Sequence, residues 1–256
     1  MLSRRQKMAL DAMEIPVWKI RPEPDAPVAA VPEMEAEQPP LSEYVPEHIP
    51  EHLSEASQSS PQNESVPARP EVDNLPGLQN QVAACQACEL ATSRSQTVFG
   101  NGDAHARLMI IGEAPGAEED RQGLPFVGAA GQLLSEMLHA IGLQREQVYI
   151  ANMLKCRPPD NRDPKKAEIQ TCEHFLRRQI ELIQPKLILV LGRIAAQNLL
   201  QRTDNLARLR GKSYCYAETS VPLMVSYHPA YLLRTPKDKA KAWQDLIKVK
   251  TFLGEI

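Results

Sequence analysis

Five consecutive aliphatic residues, Leu187-Ile188-Leu189-Val190-Leu191, constrain this chain more than any other feature. A strand with no polar alternation is apolar on both faces, and such strands lie inside parallel sheets covered by helices on either side. The run is far too short to cross a bilayer. Similar strand signals cover Arg107 to Gly112 and Val148 to Asn152, and shorter ones residues 214–217 and 222–227. Between them, Gly128 to Gly142 places Leu133, Leu134, Met137, Leu138 and Ile141 on one helical face. A long helix is predicted over 164–184, starting at Pro164 and stopping before Pro185, another after Gly192 and a last one over 238–253. This alternation predicts an α/β fold: a three-layer α/β/α sandwich around a mostly parallel central sheet. Ligands in such folds gather beyond the carboxyl ends of the strands. The Gly112–Gly116 turn, Asn152 and the Tyr227-His228-Pro229 segment all fall at such ends.

Upstream of this pattern the composition changes. Residues 21–70 hold 11 of the 22 prolines and ten acidic residues against Arg21 and Arg69, a net charge of −8. Such a stretch cannot bury enough apolar surface to offset chain entropy, so residues 21–74 read as a disordered acidic linker. Three parts follow: a segment 1–20, the linker 21–74 and a folded domain 75–256. The whole chain carries −3, but residues 75–256 by themselves carry +5, which permits a nucleic-acid partner. No membrane span or signal peptide is legible, and the expected compartment is the cytoplasm.

The five cysteines suit metal ligation better than disulfides in such a chain. Cys85 and Cys88 form a C-x-x-C pair; Cys156 follows after 67 intervening residues and Cys172 after 15 more. Four thiolates suit zinc or an iron–sulfur cluster, and spacing alone does not separate the two. Cys215, between two tyrosines, is left as a spare.

The turn after the first strand, Gly112 to Asp120, and the loop Gly123 to Gln132 are glycine-rich, so backbone can approach a ligand and its N–H groups can hold an anion. Phe126 sits in that loop outside any packing stripe, where a flat ring can stack on a base. Asn152 carries a donor and an acceptor, the pair needed to read a nucleobase edge. His228 is the best acid or electrostatic candidate among six histidines, since His48, His52 and His105 fall in the linker or a polar turn and His139 and His174 inside helices.

Taken in order, these motifs resemble the family-4 uracil-DNA glycosylases, which carry an iron–sulfur cluster. The match comprises the four-cysteine spacing, Gly112-Glu-Ala-Pro-Gly116 with Glu119-Asp120, Gly123 to Gly131, Asn152 with Lys155-Cys-Arg-Pro-Pro159, and His228 to Arg234, and it runs from about residue 80 to 252. The resemblance implies a [4Fe–4S] cluster on Cys85, Cys88, Cys156 and Cys172, in preference to zinc, with uracil-containing DNA as substrate. It implies that a flipped uracil stacks on Phe126 and is read by Asn152, within a pocket built by Gly112, Ala114 and Gly116. His228 then stabilises charge on the departing base, and Glu113 with the Gly112–Gly116 turn places the water. Leu232 and Leu233 become wedge candidates and Arg234 a phosphate contact. Family-1 enzymes carry aspartate where Ala114 stands, so catalysis here is expected to lean on leaving-group stabilisation. The basic, histidine-bearing insertion of a covalently linking subgroup is absent between Gly116 and Gly131.

The N-terminal segment carries a second resemblance. Ser3-Arg4-Arg5, Leu10, Met13, Ile15, Trp18 and Arg21-Pro22 resemble the N-terminal peptide of the psi subunit of the bacterial replicative polymerase holoenzyme. It implies docking through Arg4, Arg5, Leu10, Met13 and Trp18 on the clamp-loader collar, with the chi subunit as a further candidate partner. A docking peptide ahead of a long linker is a tether. The competing expectation is a psi-like clamp-loader subunit of DNA polymerase III whose glycosylase-like domain mainly binds.

Overall fold

A computed structural model describes residues 74–216 and 219–254. The segment 1–20 and nearly all of the 21–74 linker lie outside the described residues. The described chain begins with α1 (Leu75–Ala84), whose N-cap Asn74 accepts a hydrogen bond from the Gly77 N–H at 2.8 Å. A short α2 (Leu90–Ser93) leads to β1 (Asn101–Gly102), β2 (Leu108–Gly112), α3 (Ala117–Gln122), α4 (Ala129–Ile141) and β3 (Tyr149–Asn152). Then come α5 (Lys166–Ile183), β4 (Leu187–Leu191), α6 (Arg193–Leu199), α7 (Leu206–Leu209), β5 (Ser213–Tyr216), β6 (Val221–Ser226), α8 (Pro229–Arg234) and α9 (Lys239–Leu253).

The sheet has six strands in the order β1-β3-β2-β4-β6-β5. Its four central strands run parallel, and the short β1 and the exposed β5 close the edges antiparallel. β4 lies in the middle with all five residues buried, as its unbroken apolar run predicts. Its side chains alternate between two cores. Ile188 and Val190 join Met109 and Ile111 of β2 beneath α1, α5 and α6, while Leu187, Leu189 and Leu191 join Leu108 and Ile110 beneath α4 and α9. Burying each such side chain contributes roughly 1.5–3 kcal/mol, so the two cores stabilise one three-layer sandwich.

Parallel register brings the strand ends level. Gly112 pairs with Asn152 and Leu191 with Ser226, so the turns that follow open on one edge of the sheet. Five of the described helices go beyond the sequence reading. α1 falls just past the linker, α2, α3 and α7 are too short for a periodic signal, and α8 occupies the stretch that holds the two wedge candidates. α5 begins at Lys166, two residues after the expected start, because Glu168 reaches back to the Lys165 N–H at 2.8 Å and defines the first turn there.

Candidate active site

Beyond the carboxyl ends of β2, β3, β4 and β6 lies a pocket of about 500 Å³, lined by Glu113, Ala114, Gly116, Glu119, Phe126, Asn152, Asp163, Arg193, His228 and Arg234 among others. Its floor is built by crowding. A Cβ on Gly112 would lie 2.4 Å from Asn152 Oδ1 and 2.7 Å from Phe126 Cζ, so only glycine at the end of β2 lets those two side chains come together. Gly131 does the same one layer out: a Cβ there would lie 1.8 Å from the Phe126 carbonyl oxygen. Phe126 itself has φ 53°, a left-handed conformation that costs a non-glycine residue strain.

Glu119 holds that strained loop. Its Oε1 accepts from the N–H groups of Val127 at 2.9 Å and Gly128 at 3.0 Å, and its Oε2 from Gly116 at 3.1 Å. Arg145 donates to the Pro125 carbonyl from the other side. The Phe126 ring faces the His228 ring at 5.5 Å between centroids, tilted by 31°. Asn152 is 2% exposed, and its Oδ1 is buried without a hydrogen-bond partner. An unpaired acceptor on a pocket floor costs free energy until a ligand donates to it.

His228 caps α8, its Nδ1 accepting from the Ala230 N–H at 3.2 Å. That contact places the proton of the neutral ring on Nε2. Burial first, then the Arg234 charge, pulls its pKa down to about 4, so the ring is an uncharged donor at neutral pH. Glu113 moves the other way. Burial and the nearby Asp163 raise it to about 7, against the opposing influence of Arg193. Asp163 and Arg193 face each other at 3.6 Å near the mouth. Behind His228, Ser226 Oγ and Arg210 Nε both donate to Asp245 Oδ2, at 2.7 and 2.8 Å. Arg210 also lies 4.3 Å over the Tyr227 ring, which stacks on Tyr231.

The two leucines of α8 separate. Leu232 is 1% exposed within the core under α4 and α9, whereas Leu233 is 44% exposed beside Arg234.

Cys85, Cys88, Cys156 and Cys172 line one small cavity together with Arg94 and Lys155; Cys215 stands apart on edge strand β5. No disulfide joins any of the five. Arg94 donates to Cys156 Sγ at 3.0 Å and to the Cys85 carbonyl at 2.8 Å. Burial raises the Cys156 thiol and pushes Cys172 up to about 11. Among the described residues, no three His, Cys, Asp or Glu side chains gather as a single metal ion requires.

Sequence reasoning placed Glu119, Asp120 and Lys155 in motifs without a role and missed Arg94 and Gln179. Asp120 is buried and accepts from the Ser95 N–H with both oxygens at 3.0 Å, joining the segment after the cysteine pair to α3. No local pattern marks Arg94 or Gln179; their polar contacts do.

The family model of the uracil DNA glycosylase superfamily matches residues 99–247, which span the pocket and most of the sheet. The chain belongs to that superfamily. It is 41% identical to the type-4 uracil-DNA glycosylase of Sulfurisphaera tokodaii over 70% of this chain and 84% of that protein. Type-4 uracil-DNA glycosylases of Archaeoglobus fulgidus and Thermotoga maritima are 40% and 39% identical, covering 72% and 69% of this chain and 96% and 93% of theirs. The enzyme is therefore a uracil-DNA glycosylase, a hydrolase of N-glycosyl bonds whose substrate is DNA. Among its described residues no helix is long and apolar enough to cross a membrane.

Proposed function

We propose that this glycosylase excises uracil through a flipped-nucleotide pocket whose base-reading group is Asn152. The observation that carries the reading is the buried, unpartnered Asn152 Oδ1 on the pocket floor between Gly112 and Phe126. Uracil N3–H donates to that oxygen and O4 accepts from the amide nitrogen. Cytosine presents the reverse pattern and would leave buried groups unpaired. Phe126 stacks on the ring.

In the chemical step the C1′–N1 bond breaks, its electron pair leaves with the base, and negative charge builds on uracil O2. Neutral His228 donates its Nε2–H to that oxygen and helps stabilise the oxyanion. Water adds to C1′ of the sugar cation. Glu113, poised near neutrality by burial, takes the water proton, with backbone of the Gly112–Gly116 turn beside it. Leu233 fills the gap left in the duplex and Arg234 contacts phosphate, while inward-facing Leu232 anchors the helix that presents them.

Cys85, Cys88, Cys156 and Cys172 are assigned to a [4Fe–4S] cluster. The fit rests on four thiols lining one cavity beside two cations. Four thiolates can hold either zinc or a cluster, and the preference for the cluster comes from the family-4 resemblance of the cysteine spacing. When bound, the cluster supplies a cross-link between α1, the segment after β3 and α5 and takes no part in bond cleavage.

The segment 1–20, outside the described residues, is assigned to a psi-like peptide that tethers the enzyme to a clamp-loader collar, with the 21–74 linker as the leash. Trp18→Ala is expected to weaken that binding and leave excision alone; unaltered capture of the clamp loader by residues 1–22 would sink the tether.

The central test is release of free uracil from a uracil-containing oligonucleotide by anaerobically purified protein, with Asn152→Ala beside it. Release by the wild type and a loss on the order of 10³-fold or more in the variant are expected. Equal release by both overturns the assigned role of Asn152.

A further inference from the structure

Lys155 lies between the base pocket and the four cysteines and is 1% exposed. Its ammonium donates to the Asn152 carbonyl oxygen at 2.8 Å and to Gln179 Oε1 at 2.6 Å. Gln179 is held in turn, its Nε2 donating to the Phe99 carbonyl at 2.9 Å and to Tyr149 Oη at 3.3 Å. Both hydrogen-bond acceptors of the lysine are neutral. Among the described residues no carboxylate forms an ion pair with it.

A buried cation without an anion costs several kcal/mol, and the fold must offset that charge somewhere. The groups on its other side are sulfurs. Lys155 lines the same cavity as the four cysteines, and Cys156 is its chain neighbour. Thiolates ligating a cluster are the anions that geometry makes available.

We propose that Lys155 is a positioning residue that ties the four-cysteine centre to the base-reading Asn152. On one side the anionic sulfurs balance its charge. On the other its ammonium holds the Asn152 carbonyl at the end of β3, and with it the direction of the amide on the pocket floor. The side chain touches no substrate atom; it acts through Asn152. The inference rests on the reading of the cysteines as cluster ligands.

The test compares anaerobically purified full-length wild type, Lys155→Met and Lys155→Gln by iron content, midpoint potential of the cluster, and inhibition by free uracil, which occupies the same pocket as product. Lys155→Met is expected to keep its iron, to shift the potential to a more negative value because a cation beside the cluster is gone, and to bind uracil on the order of tenfold more weakly. Lys155→Gln retains an N–H donor without the charge; it is expected to regain uracil affinity while the potential stays shifted. A purely structural lysine would not separate these two readouts. Potential and uracil inhibition both unchanged in Lys155→Met would overturn the proposal.

Should either variant lose iron, the wild type decides. Uracil inhibition is compared between its cluster-loaded and cluster-depleted forms, where loss of the anions that balance Lys155 is expected to weaken uracil binding. Equal affinity in both states overturns the coupling. A wild type that contains no iron overturns the cluster reading together with this one, whereas an iron-loaded protein with unmoved readouts overturns this one alone.

Discussion

Glu119 Oε1 accepts the Val127 N–H at 2.9 Å, so the residue after Phe126 is held by a carboxylate from the helix after β2. Because the same carboxylate accepts from the Gly116 N–H, it couples the turn after β2 to the Phe126 loop. Glu119→Ala is expected to release Phe126 from its left-handed conformation. The measured result is a fall in kcat/KM of roughly ten- to a hundredfold, about 1.4–3 kcal/mol, with a smaller loss of thermal stability. Wild-type kinetics in the variant would show that Phe126 holds its place without this bridge.

The pH profile separates the two titrating groups of the pocket. Glu113, raised to about 7, must be ionised to take a proton from water, so kcat/KM should fall as pH drops below about 7 and level off above it. His228, at about 4, remains neutral across that range. Glu113→Gln is therefore expected to lower the rate and flatten this limb. His228→Ala should cost on the order of 10²–10³ in rate with the fold intact and the limb preserved. A limb that survives in Glu113→Gln would remove Glu113 as the base.

Folding stability responds to the same histidine with a defined sign. Its folded pKa lies below the ordinary value of 6.5, so its stabilising contribution is complete above pH 6.5 and is lost as pH falls toward about 4. Denaturant titrations at pH 7.5 and pH 5 should show a larger acid-induced loss in wild type than in His228→Ala. Glu113 opposes this in part, since its raised pKa favours the folded state most at low pH and the benefit fades as pH rises through about 7.

Gly112→Ala tests the pocket floor without touching a polar group. The added methyl meets Asn152 Oδ1 at 2.4 Å and Phe126 Cζ at 2.7 Å, so one of them must move. Uracil excision is expected to fall by at least on the order of a hundredfold, while stability drops by about 1–3 kcal/mol from overpacking. Undiminished excision would mean that Asn152 and Phe126 need not meet over this glycine.

Leu232→Ala and Leu233→Ala form a contrasting pair. The first opens a cavity in the core and is expected to destabilise the protein by about 2–5 kcal/mol. The second should leave stability nearly unchanged and reduce activity on duplex more than on single-stranded uracil DNA, because only a duplex needs its gap filled. Equal losses on both substrates would remove the wedge assignment.

If the four cysteines hold a cluster as proposed, Cys156→Ser is expected to lower the iron content of anaerobically prepared protein and its melting temperature. Cys215→Ser on the edge strand should do neither, and iron content measured for both variants checks the ligand assignment.

The order of strands and helices was legible because it depends on near neighbours. An unbroken apolar run marks β4, a helical stripe marks α4, and Pro185 and Gly192 punctuate the chain on either side of β4. The four cysteines were legible by their spacing, and the glycine-rich turns, Asn152 and His228 as residue types at strand ends, which parallel register then places on one edge. Tertiary structure decided the rest. It chose Leu233 over Leu232 as the exposed leucine, left the Asn152 side-chain oxygen buried and unpaired, and gave Glu119, Asp120 and Lys155 their partners. Lys155 meets Gln179 across 24 residues and Asp120 meets Ser95 across 25. Hydrophobic periodicity is set within one or two turns of chain, whereas the burial, charge and hydrogen bonding of a polar group are set by whatever distant segment packs against it.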